Sequence, residues 1–151
     1  MCDVYLAIGE EGFRDLLGRI SMSRLKTYRI FEQVKVRCRL VKLNSENLRK
    51  AAPRLWERIQ QRDEALASDL AEAILLSWLD MIIEALDLIG IPHTDGFFAK
   101  DLDVSAHLKD EWQAKTYDAL KNKYPPVVLR FYLNHLAIST GHGAELFTPA
   151  A

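Results

Sequence analysis

The stretch that decides the fold class is residues 69–89, which read DLAEAILLSWLDMIIEALDLI. At 100° per residue its acidic side chains fall within a stripe about 120° wide, and the rest of the helical wheel is almost wholly apolar. The five acids are Asp69, Glu72, Asp80, Glu84 and Asp87. The pattern predicts one long helix that begins after Ser68 as N-cap and ends at Gly90.

The broad apolar face of this predicted helix must be covered, and two hypotheses describe how. Either it is the central helix of a bundle, or part of its face contacts another subunit. A membrane span is excluded, because each acid would cost about 2.5–3.5 kcal/mol near the centre of a bilayer. We therefore expect no membrane as a partner and favour a homo-oligomer.

Apolar residues recur at helical spacing in further segments of the chain. The additional predicted helices cover residues 11–17, 23–41, 48–59, 104–121 and 127–138. Pro53 either kinks the third of these helices or begins a new one. Two segments stay open: residues 4–8 are compatible with a short strand, and residues 34–40 alternate in a way that fits a strand as well as a helix. The sequence thus predicts a mainly α protein, an antiparallel bundle of five or six helices with at most one short strand near the N-terminus.

Length and composition are those of an ordinary globular domain. With 151 residues, 49% hydrophobic and 27% charged, we expect a single helical domain over residues 1–151. Only Cys2 and Cys38 are present, so no disulfide framework is indicated. The first residues lack the basic and apolar regions of a signal peptide, and we expect a cytoplasmic protein.

The net charge of −1 conceals a strong division along the chain. Residues 14–62 form a basic segment with a net charge of +10, and residues 63–151 form an acidic segment with −8. Such asymmetry is one indication of nucleic-acid binding. The candidate phosphate contacts lie on helical stripes: Arg24, Lys35, Arg39, Lys42, Arg54, Arg58 and Arg62. The competing hypothesis is that the two segments neutralise each other within one molecule or across a dimer.

A loop at residues 93–107 gathers the chemically versatile side chains of the second half. These candidates are His93, Asp95, Asp101, Asp103 and His107. Imidazole and carboxylate groups can ligate a metal or transfer protons. However, the calcium-loop pattern fails because Ala106 stands where glycine is required and Trp112 where a bidentate acid is required. We expect Asp95 and Gly96 to form a tight turn, Asp103 or Ser105 to cap a helix, and Phe97 and Phe98 to fold onto the bundle.

Motifs for enzyme chemistry are absent from the sequence. It contains no G-x-x-x-x-G-K-[ST], G-x-S-x-G or H-E-x-x-H pattern, and no Glu precedes a His by three residues as di-iron bundles require. We expect no cofactor and no metal. The function predicted first is a non-enzymatic helical interaction or regulatory module that self-associates, with another protein as a further partner. The second hypothesis is a nucleic-acid-binding regulator using residues 14–62, and the third a metal or acid–base site in the loop of residues 93–107.

Overall fold

The computed structural model describes residues 1–141 and 146–149, and these residues fold mainly into helices. The predicted mainly α class is confirmed, but the described residues form eight α-helices, not five or six. They are α1 (Cys2–Gly18), α2 (Met22–Thr27), α3 (Phe31–Arg37), α4 (Ser45–Gln60), α5 (Glu64–Ser77), α6 (Leu79–Ile89), α7 (Trp112–Leu120) and α8 (Pro126–Ser139). A turn of 3₁₀-helix covers Val104–His107. No strand occurs in residues 1–141 and 146–149. The strand considered at residues 4–8 is wrong because these residues lie in α1.

The chain divides into two compact units, Met1–Ser77 and Trp78–Ala151. In the first unit α5 is central, because it contacts α1, α2, α3 and α4. Leu66, Leu70 and Ile74 form part of its buried face. In the second unit α7 packs against both α6 and α8. The single domain over residues 1–151 stays a prediction.

The long helix expected at residues 69–89 is wrong, since the chain breaks at Trp78. Trp78 has φ −125° and ψ 34°, which ends α5 and starts α6. The Ser77 hydroxyl donates a 2.8 Å hydrogen bond to the Ala73 carbonyl, a back-bond that competes with regular helix geometry. The helix also begins earlier than expected, because Asp63 Oδ1 accepts a hydrogen bond from the Leu66 amide and so replaces Ser68 as cap. The predicted end at Gly90, which has φ 92°, is confirmed.

The helix expected at residues 23–41 is instead two short helices, α2 and α3. Ser21, not Ser23, is the N-cap of α2, and its side chain accepts from the Arg24 amide. Arg29 and Arg39 adopt left-handed conformations with φ 59° and 56°, and each ends a helix. The ambiguity at residues 34–40 is therefore resolved as the end of α3 followed by a turn.

The remaining predicted helices are partly confirmed. Pro53 lies inside the continuous helix α4, and α8 covers the predicted residues 127–138. The helix predicted at residues 104–121 is wrong over its first half, because Glu111 has φ 60° and α7 begins only at Trp112. Throughout residues 1–141 and 146–149, no helix combines the length and apolarity that a membrane crossing requires.

Candidate interaction surfaces

The arginine stripe of α4 is engaged with the end of α3. Arg54 Nη2 donates to the Cys38 carbonyl and Arg58 Nη1 to the Arg37 carbonyl, both at 2.9 Å. The last carbonyls of a helix have no partner within the helix and carry partial negative charge. The two guanidinium groups therefore cap α3 and join it to α4.

Arg58 also binds Asp63, the residue that caps α5. Its Nε and Nη2 atoms donate to Asp63 Oδ2 at 2.9 and 2.8 Å. The side chain of Arg58 is only 13% exposed. The hydrogen bond from the Leu66 amide lowers the pKa of Asp63, and Arg58 lowers it further. One guanidinium thus ties together the ends of three helices, α3, α4 and α5.

Two further candidates for phosphate binding have partners inside the protein. Arg62 Nη1 lies 2.5 Å from Asp3 Oδ1, and Lys35 Nζ lies 3.4 Å from Glu32 Oε2. With Arg54 and Arg58, this accounts for four of the seven basic candidates. Exposed pairs of this kind contribute only about 0–1 kcal/mol. Their charges are nevertheless compensated locally.

The other three candidates, Arg24, Arg39 and Lys42, form no ion pair among the residues that the structure describes. Arg39 and Lys42 follow α3, where two valines are left in solvent. Val36 is 70% exposed and Val41 96% exposed. We call Val36, Arg39, Val41 and Lys42 the basic patch.

A surface groove adjoins the basic patch. It has a volume of about 440 Å³ and is lined by Glu32, Gln33, Val36, Arg37, Arg39 and Arg58. Two of its three guanidinium groups are compensated, since Arg37 Nε lies 2.6 Å from Asp69 Oδ2 and Arg58 binds Asp63. Arg39 is thus the charge that the groove leaves available to a partner.

Three arginines share an unusual backbone position. Arg29, Arg39 and Arg62 each lie two residues past the end of a helix with φ 59°, 56° and 64°. In α3, for example, the Arg39 amide donates to Val36 and the Leu40 amide to Lys35, the bond pattern of a Schellman motif. Glycine normally takes this place, because an L-residue there is strained by about 1 kcal/mol or more. The sequence marks the first two of these positions by similar tripeptides, Tyr-Arg-Ile at residues 28–30 and Cys-Arg-Leu at residues 38–40, ten residues apart.

In the second unit, His93 makes two hydrogen bonds that hold the start of the loop of residues 93–107. Its Nδ1 accepts a 3.0 Å hydrogen bond from the Gly96 amide, and its Nε2 lies 2.7 Å from Asp87 Oδ1. Because an amide can only donate, Nδ1 is unprotonated and Nε2 carries the proton that Asp87 accepts. No ring lone pair is left for a metal or a substrate.

The other four loop candidates do not converge with His93 on one site. Asp95, with φ 52°, forms the expected tight turn with Gly96, and Thr94 and Phe97 exchange main-chain hydrogen bonds around it. Asp101 is exposed and His107 partly exposed. The Ser105 hydroxyl donates to Asp103 Oδ1 at 2.6 Å and lowers the pKa of Asp103.

Asp103 lines a separate cavity of about 210 Å³. Its other lining residues are Leu102, Val104, Ser105, Ser139 and Thr140, so none of the remaining loop candidates reaches it. No cluster of three or more His, Cys, Asp or Glu side chains in the described part of the chain is placed to hold a metal ion.

The tip of this loop forms an exposed apolar surface, contrary to expectation. Phe97 is 47% exposed and Phe98 38% exposed. The reason is that Gly96 occupies the space against α6: a Cβ added there would lie 3.4 Å from Leu79. The turn backbone at Gly96 thus packs closely on α6. We call Asp95, Phe97, Phe98 and Asp101 the acidic loop surface; Lys100 is the one basic residue between its ends.

The buried reactive groups are held in their neutral forms. Burial raises the pKa of the Cys2 and Cys38 thiols to about 11. Burial also lowers the pKa of His135 to about 4. Neutral thiols are poor nucleophiles, and both cysteines are fully enclosed.

No protein-family model matches the chain, and comparison with curated proteins and with solved structures gave no significant match.

Proposed function

We propose that this protein is a non-enzymatic helical interaction module that self-associates, with the basic patch of one copy bound to the acidic loop surface of a second copy. The observation that carries the proposal is the pairing of exposed apolar side chains with uncompensated charges of opposite sign. Val36 and Val41 lie beside Arg39 and Lys42, whereas Phe97 and Phe98 lie between Asp95 and Asp101.

The apolar and the charged side chains of this contact have different roles. Removing the valines and phenyl rings from water gains about 25 cal/mol per Å² of apolar surface buried. The opposite charges accelerate encounter and select the orientation, more than they add affinity. The same pair of surfaces can join two copies reciprocally in a closed dimer or link copies head to tail in a ring or a chain.

Nucleic-acid binding is the second candidate function, and the same uncompensated side chains favour it. Arg24, Arg39 and Lys42 are the candidates free to neutralise phosphates, since the other four are engaged within the protein. A protein with about six phosphate contacts would lose on the order of a thousandfold in affinity between roughly 50 and 200 mM salt. Three contacts would give a much shallower dependence of affinity on salt. Because only three of the seven basic candidates are free to bind phosphates, we place self-association first.

The decisive experiment is light scattering after size exclusion over a range of protein concentrations. The wild-type chain should exceed its 17.3 kDa monomer mass at micromolar concentration. The double variant Arg39→Glu with Lys42→Glu should be monomeric. Its matched control, Arg49→Glu with Lys50→Glu, makes the same change of charge on exposed residues of α4 and should associate like the wild type.

A charge exchange makes the test specific to the proposed pair of surfaces. Asp95→Arg with Asp101→Arg should also give a monomer, and mixing it with the Arg39→Glu, Lys42→Glu variant should restore a complex. A wild-type monomer, or two variants that do not recombine, would contradict the proposal. Salt-sensitive binding of duplex DNA or RNA in a fluorescence polarisation titration, lost in the same double variant, would favour the nucleic-acid hypothesis instead.

A further inference from the structure

A buried polar side chain in the second unit points to a different kind of site. Asn134 lies in the middle of α8, within the apolar run PVVLRFYLNHLAIS, and its side chain is completely buried. Its Oδ1 accepts from the Phe147 amide at 2.6 Å, and its Nδ2 donates to the Phe147 carbonyl at 3.1 Å. One side-chain amide thus satisfies both main-chain groups of a single residue.

This arrangement recognises backbone and not a particular side chain. A buried amide without hydrogen-bond partners is strongly unfavourable, so Asn134 requires an occupant. The amide meets an N–H and a C=O of the same residue, as a neighbouring strand would. Arg130 Nε adds a third hydrogen bond to the Phe147 carbonyl at 3.3 Å. Any extended peptide could supply the same two main-chain groups.

The side chain of the occupant is selected by an aromatic contact. The rings of Tyr117 and Phe147 have their centroids 5.5 Å apart, with an angle of 59° between their planes. Aromatic pairs at this distance stabilise a contact beyond the effect of their buried area. Tyr117 belongs to α7, so the site is formed jointly by α7 and α8. The site therefore fits an extended segment that carries an aromatic residue in the position of Phe147.

We propose that this α7–α8 site is a peptide-docking site for a short extended segment of another protein that carries an aromatic residue, and that residues 146–149 of the chain occupy it as an intramolecular competitor. For residues 146–149, which the structure describes, the hydrogen bonds from Asn134 and Arg130 go to the main chain of Phe147. Phe147 itself is only partly buried and Thr148 is exposed. A peptide that makes the same contacts therefore competes directly with Phe147 for the site.

The test is a fluorescence anisotropy titration with a labelled synthetic peptide of residues 144–151, AELFTPAA. Full-length protein with Phe147→Ala has a weakened competitor, so it should bind the peptide roughly tenfold more tightly than the wild type. Thr148→Ala alters an exposed neighbour in the same tail and should bind like the wild type. Adding Asn134→Leu to Phe147→Ala should abolish binding, and a peptide with Phe replaced by Ala should not bind.

Far-UV circular dichroism of each variant establishes that the helices are intact. Equal affinity for wild-type and Phe147→Ala protein, or no binding to either, would overturn the proposal. A second measurement avoids substitutions. In ¹⁵N spectra of labelled wild type, excess unlabelled peptide should shift the main-chain amide signal of the protein's own Phe147, because the tail leaves Asn134, and an unchanged signal at saturating peptide would likewise refute it. The variant Arg39→Glu with Lys42→Glu should bind the peptide normally, which separates this site from the self-association surfaces.

Discussion

Within each unit, side chains hold the segments that follow its helices, and the two units use different chemical groups for this. In the first unit, the guanidinium groups of Arg54 and Arg58 bind the carbonyls at the end of α3. In the second, Nδ1 of His93 accepts from the Gly96 amide at the loop turn, and Asn134 and Arg130 bind the main chain of Phe147 in the tail. The second unit also contains His135, whose pKa is lowered by burial. Because this imidazole binds a proton more readily in the unfolded chain than in the folded one, the second unit should lose stability in acid.

The largest expected effect tests that response at His135. Burial lowers its pKa from 6.5 to about 4, so the unfolded chain binds a proton in this interval that the folded chain does not. Stability should be constant above pH 6.5 and fall as the pH decreases to 4, by about 3 kcal/mol for this group. His135→Leu should remove that part of the pH dependence.

Urea denaturation at pH 7 and at pH 4 measures this difference. The control is Gln113→Leu, which changes a partly exposed residue of the same unit that carries no titratable group and should leave the pH profile as in the wild type. A wild-type free energy of unfolding that does not change through this interval would show that His135 is not shielded from water as its burial implies.

Arg58→Ala tests the hydrogen bonds of Arg58 at the helix ends of the first unit and should have the next largest effect on stability. The change leaves the Arg37 carbonyl and Asp63 without their shared charged donor. Hydrogen bonds to charged groups contribute about 1.5–3 kcal/mol, so we expect a loss of about 2 kcal/mol at neutral pH. Arg49→Ala on the same helix is exposed and should cost less than about 0.5 kcal/mol. Equal urea midpoints for the two variants would contradict the capping role of Arg58.

The helix class followed from the sequence because apolar spacing and the stop at Gly90 are local signals. The breaks inside predicted helices did not follow, since each depends on an interaction that spacing does not encode. At Trp78 the break accompanies a hydroxyl back-bond from Ser77, and at Arg39 it requires a strained residue where glycine is the usual signal. The helical spacing of apolar residues continues through both positions, so it does not predict either break.

The candidate sites were predictable only in part, for a related reason. The sequence identified the loop of residues 93–107 as a candidate metal or acid–base site, but the exposure of Phe97 depends on Gly96 packing against Leu79. The clamp at Asn134 had a visible signal, a single amide within an apolar helix. Its partner lies 13 residues away in the chain and outside any regular helix, so pattern alone could not identify it.

The smallest expected effect concerns the strained arginines and separates stability from function. Arg29 and Arg39 have nearly the same left-handed backbone, with φ 59° and 56°, but only Arg39 belongs to the basic patch. Replacing either by glycine relieves a strain of about 1 kcal/mol, and each variant should be more stable by about that amount in urea denaturation. Arg39→Gly should in addition weaken self-association, while Arg29→Gly should not. If both variants gain stability and associate like the wild type, Arg39 is not part of the contact. If neither gains stability, the side chains of these arginines make contacts that offset the backbone strain.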